Sequence, residues 1–229
     1  MGMEVILLRY TPDPELTVAA AARLCYSPDQ VDELLTDLTL DKARKLIAKL
    51  KQMGHFSPFE HASFTFGISG VSRSLSHQLV RHRIASYSQQ SQRYVAFKQL
   101  PVVVPPSVAA NAEAQAKFDE AITAIESAYL QLLGLVPAED ARYLLPNACQ
   151  TNLVMTMNAR SLHNFFTLRC CTRAQWEIRE LAWRILDLVQ EVAPSIFADA
   201  GPNCWSAIGC QEGAMSCGNP PRRQDHKGR

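Results

Sequence analysis

The chain has 229 residues, 47% of them apolar and 20% charged, which is enough for one good hydrophobic core and argues against bulk disorder. A formal net charge of +1 excludes a broad basic face for nucleic acid, because such binding rests on many uncompensated Lys and Arg side chains. The start carries Glu4 and Arg9 inside a short apolar run, unlike a secretory leader, and no apolar stretch approaches the roughly 18 residues of a spanning helix. A cytoplasmic protein with no membrane or nucleic-acid partner is expected.

Glu4–Tyr10 (EVILLRY) reads as an opening strand closed by the turn TPDP, and Leu16–Cys25 as an alanine-rich helix. Thr39 can cap a helix to Lys51, since Leu40, Ala43, Leu46, Ile47 and Leu50 recur at helical spacing and Asp41 suits the first turn. Gly54 stands where a left-handed cap is commonly needed, so His55–His61 is a loop held behind a rigid helix. Ala62–Ile68 has strand content, Gly70 is expected to end it, and Ser72 can cap a helix carrying Leu75, Leu79 and Val80. That helix delivers the chain into Arg81, His82 and Arg83.

After the proline-broken run VVVPP, a long helix is expected from about Ala109 to Leu133, with Gly134 and Pro137 closing it and a scaffold or subunit-contact role. Thr151–Met157 suits a strand, and Ala159–Arg169 and Gln175–Val192 suit two helices. Strands interspersed with helices, without regular alternation, point to an α+β single domain with a central mostly antiparallel sheet flanked by helices, not a Rossmann fold. The expected domain is 1–200, followed by a cysteine-containing, partly flexible tail over 201–229 whose end reads as frayed and basic.

Of seven cysteines, Cys25, Cys149, Cys170 and Cys171 lie in apolar patterns and read as buried small hydrophobes. Cys204, Cys210 and Cys217 have five and then six residues between them, which fits no standard zinc or disulfide pattern. Incidental or structural thiols are expected, and no metal site.

The chemistry concentrates in Arg81–Tyr94 (RHRIASYSQQSQRY). Guanidinium groups grip phosphate oxygens in a bidentate fork, and the serines and glutamines supply directional bonds to a base or sugar. The segment has no acidic residue of its own and is entered and left through apolar pieces, which favours an anionic ligand over a surface loop. A second polar set, Asn158, Arg160, His163, Asn164 and Arg169, lies at helical spacing, and alone it fits ligand contact and ordinary helix surface equally. His55 and His61 flank Glu60 but do not form the HExxH metal pattern; a histidine in this loop can stack on a planar cofactor. Walker, GxGxxG and GxSxG motifs are absent, and a metal-dependent phosphohydrolase would need a carboxylate cluster near the arginines.

Arg81-His82-Arg83, seven further residues and then Ser91 resemble the signature of the flavin-dependent thymidylate synthases, extended by Arg93-Tyr94. FEHASFTF at Phe59–Phe66, NARSLHNFFTLR at Asn158–Arg169 and AQWEIR at Ala174–Arg179 are similar to further family segments, so the resemblance spans roughly residues 4 to 200. It implies an FAD enzyme that makes dTMP from dUMP, with 5,10-methylenetetrahydrofolate as one-carbon donor and NADPH as reductant. It also implies a homotetramer with active sites shared at subunit interfaces.

By the same resemblance, His55, Ser57, Arg81, His82, Arg83, Gln89, Asn158, Arg160 and Asn164 are flavin contacts. Gln78, Arg81, Gln89, Ser91, Arg93, Arg142 and Arg169 are dUMP contacts. Arg169 is the catalytic residue that polarises the uracil, and Ser91 binds and does not attack, because an unactivated hydroxyl is a weak nucleophile. Two positions depart from the family pattern: Gln89 stands where many members carry an acid, and Arg173 where some carry a histidine.

Overall fold

The structure, a computed structural model, describes residues 2–28, 30–206 and 208–221. Of the frayed basic end expected over 218–229, residues 222–229 lie outside the described residues. In chain order the elements are β1 (Glu4–Tyr10), α1 (Pro14–Leu24), α2 (Leu40–Gln52), β2 (Ser63–Ser72), α3 (Arg73–Leu79), β3 (Ser86–Gln89), α4 (Pro106–Ala109), α5 (Ala112–Leu133) and α6 (Ala138–Ala141). They continue with β4 (Gln150–Asn158), α7 (Ala159–Arg169), α8 (Trp176–Val192) and α9 (Pro194–Phe197). The strands form an antiparallel sheet in the order β1-β2-β4-β3, which bears out the α+β expectation. No helix among the described residues is long and apolar enough to cross a membrane.

The caps explain the element boundaries. Thr39 Oγ1 accepts from Lys42 N at the start of α2, Ser72 Oγ accepts from Leu75 N at the start of α3, and Asn158 Oδ1 accepts from Ser161 N at the start of α7. Gly54, with φ of 72°, turns the chain out of α2.

Three expectations are corrected. Gly70 does not end a strand: β2 runs on to Ser72, and Gly70 lies within it at φ 68°. The long helix starts later than expected, at Ala112 and not at about Ala109: Asn111 caps α5 through Ala114 N, and the preceding α4, Pro106–Ala109, is a separate short turn of helix. Cys25 is exposed, because it lies just past the last residue of α1, and Cys171 is half-buried; only Cys149 and Cys170 of that group are buried.

The chain divides into two compact units. The first holds Met1–Glu4, Ile68–Arg81 and Tyr87–Val154. In it Tyr87 donates to Leu79 O, Gln90 N donates to Asn152 O, and α5 is tied in where Phe97 N donates to the buried Tyr129 hydroxyl and Leu100 N to Glu126. Gly70 belongs to this unit, and a Cβ there would meet Gly2 O at 2.8 Å. Gly70→Ala combines that backbone clash with a left-handed φ, so a loss of about 2 kcal/mol is expected in a urea titration. An unshifted midpoint would show that the Gly2 strand end yields freely.

The second unit holds Val5–Gly67, His82–Ser86 and Met155–Arg229. Its core is an aromatic cluster: Phe64 and Phe166 pack edge-on against Phe197 at 5.4 and 6.0 Å, and Phe165 tilts against Phe166 at 5.8 Å. Helix α7 packs on α8, and α1 on α2. The buried carboxylate of Glu15 is paired at both oxygens, with Arg44 Nε at 3.2 Å and Ser195 N at 2.6 Å. Lys51 Nζ meets Asp199 at 2.5 Å and Ser195 O at 2.9 Å, so α9 is anchored to α1 and α2 by charge as well as by apolar packing.

Candidate functional site

The Arg81–Tyr94 motif is divided between the units. In the first unit, capped α3 presents Gln78, half-buried, with its amide donating to Ser74 O at 3.3 Å. Arg81 follows, exposed and without an ion pair among the described residues. The motif is not wholly loop: Ser86–Gln89 is strand β3, and Gln89 Nε2 donates to Thr151 Oγ1 at 3.1 Å on β4. Ser91 Oγ accepts from Arg93 N at 3.2 Å, an internal turn bond that orients the next guanidinium.

Arg93 and Arg142 converge on one residue. Arg93 Nε donates to the Glu139 carboxylate at 2.9 Å, and Arg142 Nε donates to Glu139 O at 3.0 Å. The pair is about half exposed, so it contributes little stability; its consequence is the placement of two cationic forks beside each other. Both forks retain NH groups for an anion.

In the second unit, His55 and Ser57 lie just after Gly54, exposed, with His55 Nδ1 and the Tyr26 hydroxyl 3.3 Å apart. Arg83 is exposed and has no ion pair among the described residues. Arg160 pairs with Glu60, and Asn164, one helical turn on, is exposed. The Oδ1 of Asn158 accepts the cap bond from Ser161 N on α7, and its amide nitrogen can donate to a ligand. His163 does not share the polar face: its ring lies among Phe56, Phe59 and Phe197, and its Nε2 bonds Ile196 O at 3.0 Å.

Arg169 closes α7 and donates from Nε to His82 Nε2 at 3.0 Å. The His82 ring stands edge-on to Phe165 at 5.0 Å. Burial, and then the charge of Arg169, hold His82 down to about 4, so at neutral pH the imidazole is uncharged and its Nε2 is an acceptor. Burial also pulls the Arg169 guanidinium down, yet a group that starts so high stays charged. A neutral acceptor fixes the cation without cancelling it.

Two pairings escaped the sequence reading, those of Arg93 with Glu139 and of Arg160 with Glu60. Glu139 and Glu60 organise the arginines from 46 and 100 positions away, and no spacing pattern links such distant partners. The second unit also contains a cavity of about 910 Å³, lined by Arg169 and Arg173 and by the segment after Asn203. Arg173 pairs with Glu212 of that segment.

The family model described as thymidylate synthase complementing protein matches residues 6–195. A Geobacter sulfurreducens protein named flavin-dependent thymidylate synthase is 56% identical over 219 residues, 94% of this chain and 94% of its own. This chain belongs to the flavin-dependent thymidylate synthase family. Proteins of the same name from Clostridium tetani and Pyrococcus abyssi are 50% identical over 235 residues and 40% over 219. These matches cover 95% and 92% of this chain and 94% and 90% of the relatives. The resemblance and the enzyme class read from the motifs are thereby borne out. The match to the thymidylate synthase complementing protein model ends at residue 195, before Cys204, Cys210 and Cys217.

Proposed function

We propose that the chain methylates dUMP to dTMP with 5,10-methylenetetrahydrofolate as one-carbon donor and FAD, reduced by NADPH, as hydride carrier, releasing tetrahydrofolate. The observation that carries this reading is the Arg169 guanidinium held by an uncharged His82. Uracil C5 is a poor nucleophile, and displacing the N3 proton spreads negative charge over N3 and O4 and raises electron density at C5. A pre-oriented guanidinium stabilises that charge more than it stabilises the neutral base, which is the differential interaction catalysis requires. His82 is a positioning residue for Arg169.

In this reading Arg93 and Arg142, set side by side by Glu139, take the nucleotide phosphate, with Gln78, Arg81, Gln89 and Ser91 as further dUMP contacts. Exposed Arg83 and Arg160 supply cationic donors, and Ser57, Asn164 and the free amide of Asn158 supply neutral ones; such a set fits a pyrophosphate and a polar ring system. His55 and His82 complete the flavin contacts, with Arg81 and Gln89. When bound, FAD supplies hydride chemistry that no side chain here can perform. The protein works as a cytoplasmic homotetramer, with residues 1–200 as the catalytic domain and 201–229 as a tail.

The purified protein is expected to show flavin absorbance that bleaches on adding NADPH, and to form dTMP only when dUMP and the folate are both present. A colourless protein that makes no dTMP after FAD is added would defeat this reading. His55→Ala and Arg83→Ala should weaken flavin retention by about 10-fold or more, because hydrogen bonds involving a charged group contribute ~1.5–3 kcal/mol. Flavin content per chain after gel filtration measures it, and full retention in both variants removes these residues from the flavin site.

A further inference from the structure

We propose that Arg73 is a specificity-determining residue of the nucleotide site, a third guanidinium that joins Arg93 and Arg142 in reading the dianionic phosphate of a nucleoside monophosphate. The inference rests on the dUMP reading above and adds to it a residue outside both arginine-bearing motifs.

The backbone brings Arg73 to that place. Arg73 N donates to Cys149 O at 3.0 Å and Ser74 N to Asn147 O at 3.1 Å, which pins the start of α3 to the chain that follows Arg142. Cys149 Sγ in turn accepts from Gln92 Nε2 at 3.6 Å, so the residue before Arg93 is tied to the same point. The Ser74 carbonyl holds the amide of Gln78, another of the proposed dUMP contacts. All of these residues belong to the first unit.

What sets Arg73 apart is the lack of a counter-charge. Its side chain is half-buried, and its guanidinium has no ion pair and no hydrogen bond among the described residues. Glu139 serves the other two arginines, with its carboxylate on Arg93 and its carbonyl on Arg142. Cys149 cannot balance Arg73 either: burial pushes its thiol up to about 11, so it is uncharged at neutral pH. Nor does the helix gain from this charge, since α3 has no acid in its first turn and a helix start favours anions.

Burial is the largest effect on the Arg73 guanidinium and pulls it down; the Arg142 charge adds to the lowering, and Cys149 opposes it. A group that starts so high stays charged, so two like charges lie close together. Such an arrangement is costly until an anion joins it. A phosphate monoester is an anion of the right kind, with about −1.5 to −2 charges at pH 7 and three terminal oxygens that accept from guanidinium forks. A nucleoside has no such group, and a phosphate diester has a single charge. The three arginines therefore select a nucleoside monophosphate over both.

The test measures binding of dUMP and of deoxyuridine, its phosphate-free counterpart, to the full chain saturated with FAD. Arg73→Gln is expected to weaken dUMP binding by about 10-fold or more, the scale of one hydrogen bond to a charged group, and to leave deoxyuridine binding unchanged. Arg73→Lys keeps the charge without the fork and should recover part of the loss. Inorganic phosphate should compete with dUMP on the parent and less well on Arg73→Gln. Flavin content per chain and the urea midpoint are read alongside, to show that each variant is folded. Equal weakening of dUMP and deoxyuridine would make Arg73 a structural residue, and an unchanged dUMP affinity would remove it from the site; either result overturns the inference alone. A parent chain that binds no dUMP would instead defeat the dUMP reading itself, and the inference with it.

Discussion

Under the proposed dUMP reading, Arg169→Ala is expected to lower turnover by about 100- to 1000-fold while flavin retention stays nearly constant. Removing one pre-oriented donor aimed at developing charge costs on that scale because the bond is strongest only as the charge appears. The guanidinium of Arg169 is poised for such work: its Nε is committed to His82 at 3.0 Å, and its terminal nitrogens are held at a fixed angle by that bond. Arg169→Lys keeps the charge and loses the fork, so it should recover only part of the rate. Measuring kcat together with flavin absorbance per chain separates the roles. A variant that loses flavin in proportion to its rate would make Arg169 a cofactor anchor instead.

Acid is expected to weaken the fold through His163, by about 3 kcal/mol between pH 6.5 and 4. Burial first, partly countered by Asp199, holds this ring down from 6.5 to about 4 in the folded protein. Between those values the unfolded chain binds a proton that the folded chain refuses, so stability rises with pH across the window. It is fully present above 6.5 and is lost as pH falls toward 4, where both states carry the proton.

The aromatic cage explains the burial: Phe56, Phe59 and Phe197 surround the ring, and its Nε2 bonds Ile196 O at 3.0 Å. His163→Gln retains an NH donor for that carbonyl and has no titration in this range. Urea midpoints at pH 7 and 4.5 should therefore differ less in the variant than in the parent. His82 shifts in the same direction and leaves a residual slope. An identical drop in parent and variant would place the acid sensitivity elsewhere.

The comparison of His163 with Asn164 shows how far helical spacing carries. Both sit in the polar set read from residues 158–169, and the wheel separates them by a single step. Asn164 is exposed, whereas His163 fills a cage built by residues from the loop after α2 and from α9. Only elements distant in sequence make that face apolar. Likewise Arg81–Tyr94 looked uncompensated because no acid lies within it. Arg81 and Arg83 do carry no ion pair among the described residues, but Arg93 meets Glu139 from α6.

What the amino-acid order determined by itself was local and repetitive. Strand β1 and helix α7 have the expected bounds, and the capping oxygens of Thr39 and Ser72 meet the amides their positions implied. Such features depend on neighbours within a turn or two, and the two arginine-bearing motifs were legible for the same reason. Tertiary structure alone decided which arginines are paired, the neutral state of His82 and the burial of His163. It also gathered Cys171, Cys204, Cys210 and Cys217 around one cavity. Burial and long-range charge depend on partners 30 to 100 residues away, as His163 with Ile196 and Arg160 with Glu60 show, and no local pattern encodes them.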